Sequence, residues 1–168
     1  MSQLSLSLDS SLLVRDVAGD YRAANADEVL QAARRVLAGQ MRGCEALTSP
    51  QVVRDFLRVK LGTLEHEVFA VIHLDAQNRV IDYVEMFRGT VSQTSVYPRE
   101  VVKEALARNS AALLLVHNHP SGAAEPSRAD EMLTQTLKSA LALVDVRVLD
   151  HLIVAGSAIL SFAERGLL

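Results

Sequence analysis

Ala111-Ala112-Leu113-Leu114-Leu115-Val116-His117-Asn118-His119-Pro120-Ser121-Gly122-Ala123-Ala124-Glu125-Pro126-Ser127-Arg128-Ala129-Asp130 decides how this chain is read. Its first six residues are an apolar run of strand length, closed by polar residues and a Pro/Gly loop, which predicts a buried strand. Side chains two apart on a strand share a face. His117 and His119 therefore point the same way at the strand's C-terminal end, and Asn118 points the other way. Beyond the loop, Ser127-Arg128-Ala129-Asp130 opens a helical pattern. The loop is long enough to fold back and set Asp130 beside the two imidazoles.

Two histidines and a carboxylate are a ligand set for zinc, and three protein ligands leave the fourth tetrahedral position open, as in catalytic sites. A plainer use competes with this. A His pair at a strand end is often structural or solvent-facing, and Ser127-x-x-Asp130 also fits a helix N-cap box without any metal. The two His, the loop and the delayed Asp together favour the metal. The cap is compatible with it, because it fixes the helix that carries Asp130. The expected cofactor is one zinc per chain, on His117, His119 and Asp130.

The same residues carry a resemblance. His-x-His-Pro, six residues, Ser, two residues, Asp is the JAMM motif of JAMM/MPN metalloprotease-like domains, and His117, His119, Pro120, Ser127 and Asp130 match it at every position. With Phe87-Arg88-Gly89-Thr90 before it and Asp150-His151 after it, His117-Asn118-His119-Pro120-Ser121-Gly122 resembles the bacterial RadC family. The resemblance runs from about Leu47 to Leu168. It implies a JAMM/MPN domain, a cytidine-deaminase-like architecture, and a zinc-dependent metallohydrolase that cleaves a peptide or isopeptide amide bond in a peptide or protein substrate.

Such a reaction needs a carboxylate that moves protons without ligating the metal. In JAMM domains it is a Glu at the start of a strand upstream of the His pair. Glu67 opens Glu67-Val68-Phe69-Ala70-Val71-Ile72 and is the preferred general base; Glu85, inside the next strand, is the alternative. Either could also be an ordinary carboxylate in water. Ser127 matches the motif's Ser, and the resemblance implies that its hydroxyl helps hold an oxyanion. Pro120 and Gly122 are expected to shape the loop and Asn118 to orient it. His151 has three competing uses: a partner behind the site, a substrate contact, or a core histidine paired to Asp150, the last preferred. His73 is expected to be a core or second-layer histidine rather than a ligand. Arg88 and Arg99 are candidates for a substrate carboxylate, although Arg at element ends is usually solvated.

Along the chain, helices are predicted from Asn25 to Ala38 (Val29, Leu30, Ala33, Val36 and Leu37 inward) and from a Ser49-Pro50 cap to near Gly62 (Val52, Val53, Phe56 and Leu57 inward). Val68–Leu74 and Val80–Phe87 read as a hairpin around Asp75–Arg79. A helix follows from Tyr97-Pro98, with Val101, Val102, Ala105 and Leu106 inward and Asn109 closing it. After the His strand come a helix from Ser127 (Met132, Leu133, Thr136, Leu137, Ala140 and Leu141 inward), a strand over Val146–Ala155 and a short tail element from Ile159. This order suits an α/β domain with a single mixed β-sheet flanked by helices. Residues 1–46 form an N-terminal arm and helix, with Gln3–Leu8 an edge strand or disordered arm, and 47–168 the RadC-like JAMM/MPN domain.

The composition limits the alternatives. Among 168 residues, 49% are apolar, ample for a core, and 17 basic against 20 acidic residues leave a net charge of -3. Neither half is basic, so there is no electrostatic footprint for nucleic acid, and DNA binding is expected to be weak or absent. RadC-type proteins carry an N-terminal helix-hairpin-helix module, and the 46 residues before the resemblance show no convincing copy. A DNA-repair-associated nuclease or accessory factor is the second reading. A non-catalytic JAMM scaffold is the third, disfavoured because every ligand is present. Cys44 is alone, which excludes a disulfide framework and a cysteine zinc site. No run of about 18 apolar residues predicts a membrane span, the N-terminus lacks the basic start of a signal peptide, and a cytoplasmic location follows.

Overall fold

The structure is a computed structural model that describes residues 12–42, 44, 50–90 and 95–168. The Gln3–Leu8 segment and the Ser49 cap lie outside the described residues. The described elements are β1 (Leu13–Arg15), β2 (Tyr21–Ala23), α1 (Ala26–Met41), α2 (Pro50–Leu61), β3 (Val68–Leu74), β4 (Val80–Arg88), α3 (Pro98–Ala107), β5 (Ala112–Asn118), α4 (Arg128–Ala142), β6 (Arg147–Ala155), β7 (Ala158–Ser161) and α5 (Phe162–Arg165). β1 and β2 form a small separate hairpin, and the other five strands form one sheet in the order β4-β3-β5-β6-β7.

Residue alternation sorts the chain into layers. β3 and β5 are buried at every position, so each strand feeds two cores. Val68, Ala70, Ile72 and Leu74 join Ala112, Leu114 and Val116 on one face, against Val53, Phe56, Leu57 and Leu61 of α2 and Met41 of α1. Phe69, Val71, Leu113 and Leu115 lie on the other, against Val101 and Ala105 of α3 and Leu137 and Leu141 of α4. The sheet is mixed, since β5 and β6 pair parallel while the other neighbours are antiparallel. It is thus the α/β architecture predicted, one mixed sheet with helices on both faces. Among the described residues no helix is long and apolar enough to cross a membrane.

Three details differ from the sequence reading. α1 runs past Gly39 to Met41, because burying Met41 (2% exposed) is worth roughly 1.5–3 kcal/mol and outweighs the helix penalty of one Gly, about 1 kcal/mol. α4 is rotated from its predicted stripe. Met132 is 64% exposed and Thr136 is exposed, while Thr134, Leu137 and Leu141 face the sheet. Likewise Leu30, Val36 and Leu106 face solvent. Finally, the tail is two elements, β7 and the single turn α5. At the end of α2, a Cβ on Gly62 would lie 2.5 Å from the Gly156 carbonyl oxygen and 2.6 Å from that of Arg58. Only glycine lets this helix end seat on the β6–β7 turn.

Candidate metal centre

The centre is built at the C-terminal end of β5. In the antiparallel β3–β5 ladder Phe69 pairs with His117, so the same register continued by two residues sets Glu67 opposite His119. Side-chain nitrogens of both histidines and a Glu67 carboxylate oxygen all lie within 4.8 Å of one another. Past β5 the loop turns back on itself: Gly122 adopts φ +78°, its N–H donates to the His119 carbonyl (3.1 Å), and the Ala123 carbonyl accepts from His119 Nδ1 (2.7 Å). A left-handed φ of this kind favours glycine. The loop then enters α4, whose first turn delivers Asp130. Its carboxylate oxygens stand 3.2 Å from His117 Nε2 and 3.6 Å from His119 Nε2. Structure and sequence therefore bring His117, His119, Asp130 and Glu67 together.

The donor set fits a cation. Since a carbonyl can only accept, His119 Nδ1 carries the ring proton, and its Nε2 presents a lone pair. That atom lies 2.9 Å from His117 Nε2 and beside the Asp130 carboxylate. Electron pairs converging on one point are stable only around a positive charge, a proton or a metal ion. The hydrogen bond to Asp130 raises the His119 pKa against the opposing effect of burial. Burial pushes Asp130 up, but hydrogen bonds from His117 and His119, when a proton sits at their Nε2 atoms, hold it far below the ordinary carboxylate range.

Ser127 serves as the N-cap of α4 in a complete capping box. Its hydroxyl donates to Asp130 Oδ2 (2.6 Å) and accepts from the Asp130 backbone N–H (3.1 Å). The cap thereby aims the carboxylate at the histidines. Asn118 does not orient the loop. It is 1% exposed, its Oδ1 accepts from the Val68 N–H (2.8 Å) and its Nδ2 donates to the His66 carbonyl (3.0 Å). Being on the opposite face from its two His neighbours, it reaches the adjacent strand and grips the backbone on both sides of Glu67. On Glu67's other side, its N–H donates to Thr90 and its carbonyl accepts from Gly89, so the Arg88-Gly89-Thr90 wording helps to place Glu67.

Glu85 lies elsewhere. A bulge between Phe69 and Ala70 pairs Glu85 with Ala70, whose side chain belongs to the α1/α2 face. There it meets Lys60 Nζ of α2 at 2.9 Å. Arg88 and Arg99 are exposed, and no described contact joins them to the centre.

His151 corrects the preferred expectation of pairing with Asp150. Its Nε2 is 2.8 Å from His117 Nδ1 and its Nδ1 is 2.6 Å from Thr134 Oγ1. Burial lowers its pKa well below the ordinary value. The Asp150 carboxylate instead takes the Ser161 hydroxyl and the Ala163 N–H at the start of α5, touching only the backbone N–H of His151. Neighbours on a strand point to opposite faces, a signal already in the sequence against the side-chain pair. Thr134 went unread there, although it stands one turn after Asp130 on the same helix face.

The RadC-like JAB domain family matches residues 47–167. The chain is 61% identical over 150 residues to a UPF0758 protein of Leptothrix cholodnii, covering 89% of this chain and 68% of that one. It is 64% identical over 151 residues to a UPF0758 protein of Aromatoleum aromaticum, covering 89% and 67%. A UPF0758 protein of Methylibium petroleiphilum is 56% identical over 167 residues, 95% of this chain and 75% of its own.

Proposed function

Since this chain belongs to the RadC-like JAB domain family, we propose that His117, His119 and Asp130 hold one zinc ion in a cytoplasmic metallohydrolase that cleaves a peptide or isopeptide amide bond. The observation that carries this reading is the convergence of two imidazole Nε2 atoms and the Asp130 carboxylate, with Glu67 beside the histidines. Zinc held there supplies Lewis-acid activation of water and of a substrate carbonyl. Glu67 takes a proton from the attacking water as the carbon–oxygen bond forms. It returns that proton to the amide nitrogen as the carbon–nitrogen bond breaks, so it ends unchanged. Ser127 donates to the developing oxyanion when its hydroxyl turns from Asp130. The Asn118 grip and the Gly89–Thr90 pairing hold Glu67 at its station throughout.

Metal analysis of the purified chain should find about one zinc, and the double variant His117→Ala, His119→Ala should carry none; full occupancy in that variant would place the site elsewhere. Peptide, isopeptide and nucleic-acid substrates then separate the chemistries. Amide cleavage is expected, with Glu67→Gln keeping zinc but losing roughly 10² to 10⁴ in rate, the usual share of general acid–base catalysis. Glu85→Gln should leave the rate near wild type. Phosphodiester cleavage would move the assignment to a nuclease, and stoichiometric zinc with no hydrolysis of any substrate would move it to a scaffold.

A further inference from the structure

Behind His117 runs a file of hydrogen bonds whose proton positions are forced. Thr134 Oγ1 lies 2.6 Å from the Asp130 carbonyl oxygen, one turn earlier in α4, and 2.6 Å from His151 Nδ1. A carbonyl has no proton to give, so the single hydroxyl proton occupies the first contact. His151 Nδ1 must then be the donor in the second. The His151 ring is wholly buried, packed 4.8 Å from the Phe162 ring and 6.0 Å from that of Phe69. Those apolar walls disfavour an imidazolium. With one ring proton already on Nδ1, His151 Nε2 is a bare acceptor. The 2.8 Å contact to His117 therefore carries the His117 Nδ1 proton, and His117 Nε2 is left with its lone pair facing His119 and Asp130.

We propose that His151 and Thr134 are positioning residues for His117: they lock its Nδ1–H tautomer and its ring direction, and so present Nε2 as a ligand. The ligand role of His117 comes from the zinc reading above; the tautomer lock stands without it. The file also closes on itself. Asp130 starts it with its backbone carbonyl and meets its far end with its carboxylate, 3.2 Å from His117 Nε2. The first turn of α4, the middle of β6 and the end of β5 are thereby held in one register. A ligating histidine whose other nitrogen is fixed in this way binds metal better, and loss of such a partner typically costs about 10- to 100-fold in affinity.

The lock is tested on the metal-free full chain by long-range ¹H–¹⁵N correlation of its five histidines, assigned by single His substitutions. His151 should show the neutral Nδ1–H tautomer and His117 should carry a proton on Nδ1, whether or not its Nε2 shares the proton that bridges to His119 and Asp130; a bare Nδ1 at His117 would overturn the proposal. Zinc affinity by chelator competition is the second readout. His151→Phe keeps the ring packing but removes the acceptor, and should weaken zinc about 10- to 100-fold and let the His117 tautomer mix. His151→Gln, whose Oε1 can accept from His117, should restore most of the affinity. A folded His151→Phe chain that binds zinc as tightly as wild type would sink the idea. Should His151→Phe not fold, Thr134→Val decides in its place, with the same direction expected in tautomer and affinity. If the wild-type chain binds no zinc, the zinc reading fails, while the tautomers of the metal-free chain still decide this one.

Discussion

His73 and His151 are both fully buried and stand on the same sheet face, yet their partners give them different work. His73 Nδ1 meets the Ser110 hydroxyl at 2.8 Å, and its Nε2 has no partner among the described residues. Burial, helped by the Arg108 charge and opposed by Glu104 and Asp82, lowers its pKa to about 4. An unfolded histidine titrates near 6.5, so between these values the unfolded chain binds the extra proton. The stabilisation is complete above about pH 6.5 and is lost as pH falls through about 4, a swing of roughly 3 kcal/mol. Denaturant unfolding at a series of pH values should show a steeper slope in the wild type than in His73→Leu, which keeps the share of the buried His151. Parallel profiles for the two chains would refute it. At this scale the clustering of His117, His119 and Asp130 was legible because spacing on a strand and a helix start is a strong signal. The use of His151 was not, since its partner Thr134 is 17 residues away in sequence and only the parallel β5–β6 pairing reveals which histidine it faces.

Elements, more than single contacts, set the angle between the carboxylates and the imidazoles. The β3–β5 ladder fixes Glu67 against His119, and the Ser127 cap fixes Asp130 against both histidines. Ser127→Ala should lower stability by about 1 kcal/mol, the usual value of an N-cap, seen as a lower Tm together with weaker zinc binding; unchanged values for both would show the cap to be idle. Asn118→Ala should do something different. It strands the buried Val68 N–H and the His66 carbonyl, at a cost of roughly 1–3 kcal/mol for each unsatisfied group, and frees the strand start that carries Glu67. The rate should therefore fall with zinc retained, whereas zinc loss in this variant would show that Asn118 supports the ligands instead. The long strands and capped helices were readable because each buries a regular stripe or satisfies a helix end. The β1–β2 hairpin was not, since only Val14 among its six strand residues escapes full exposure and no alternation betrays it. The α4 stripe misled for a related reason: Met132 is apolar but lies off the arc that faces the sheet, and Thr134, polar by type, occupies that arc because it has His151 to bond.

For the molecule as a whole, charge decides what large partners it can hold. The net charge of -3 is spread over both halves of the chain, but folding gathers cations that the linear sequence scatters. Arg34, Arg35, Arg42 and Lys60 line one cleft with Phe56, Tyr83 and Asp82, on the α1/α2 side, the sheet face opposite His117. Several of these charges are already engaged: Lys60 with Glu85, Arg42 with Asp82, and Arg34 with the Val59 carbonyl. If DNA used this cleft, at most about four phosphates would be neutralised, giving a log–log salt slope no steeper than about -4. That is a small counterion term, and it would act on the side of the sheet away from the proposed hydrolytic centre. Binding of a short duplex at physiological salt should therefore be no tighter than the non-specific range, about 10⁻⁴ to 10⁻⁶ M, and Arg35→Glu with Arg42→Glu should abolish what there is while leaving zinc content unchanged. Fluorescence anisotropy across a salt series measures both quantities. Affinity near 10⁻⁸ M, as in specific complexes, or a slope much steeper than the cleft allows, would mean that a surface other than this one meets nucleic acid, and would revive the repair-associated reading over the amide hydrolase.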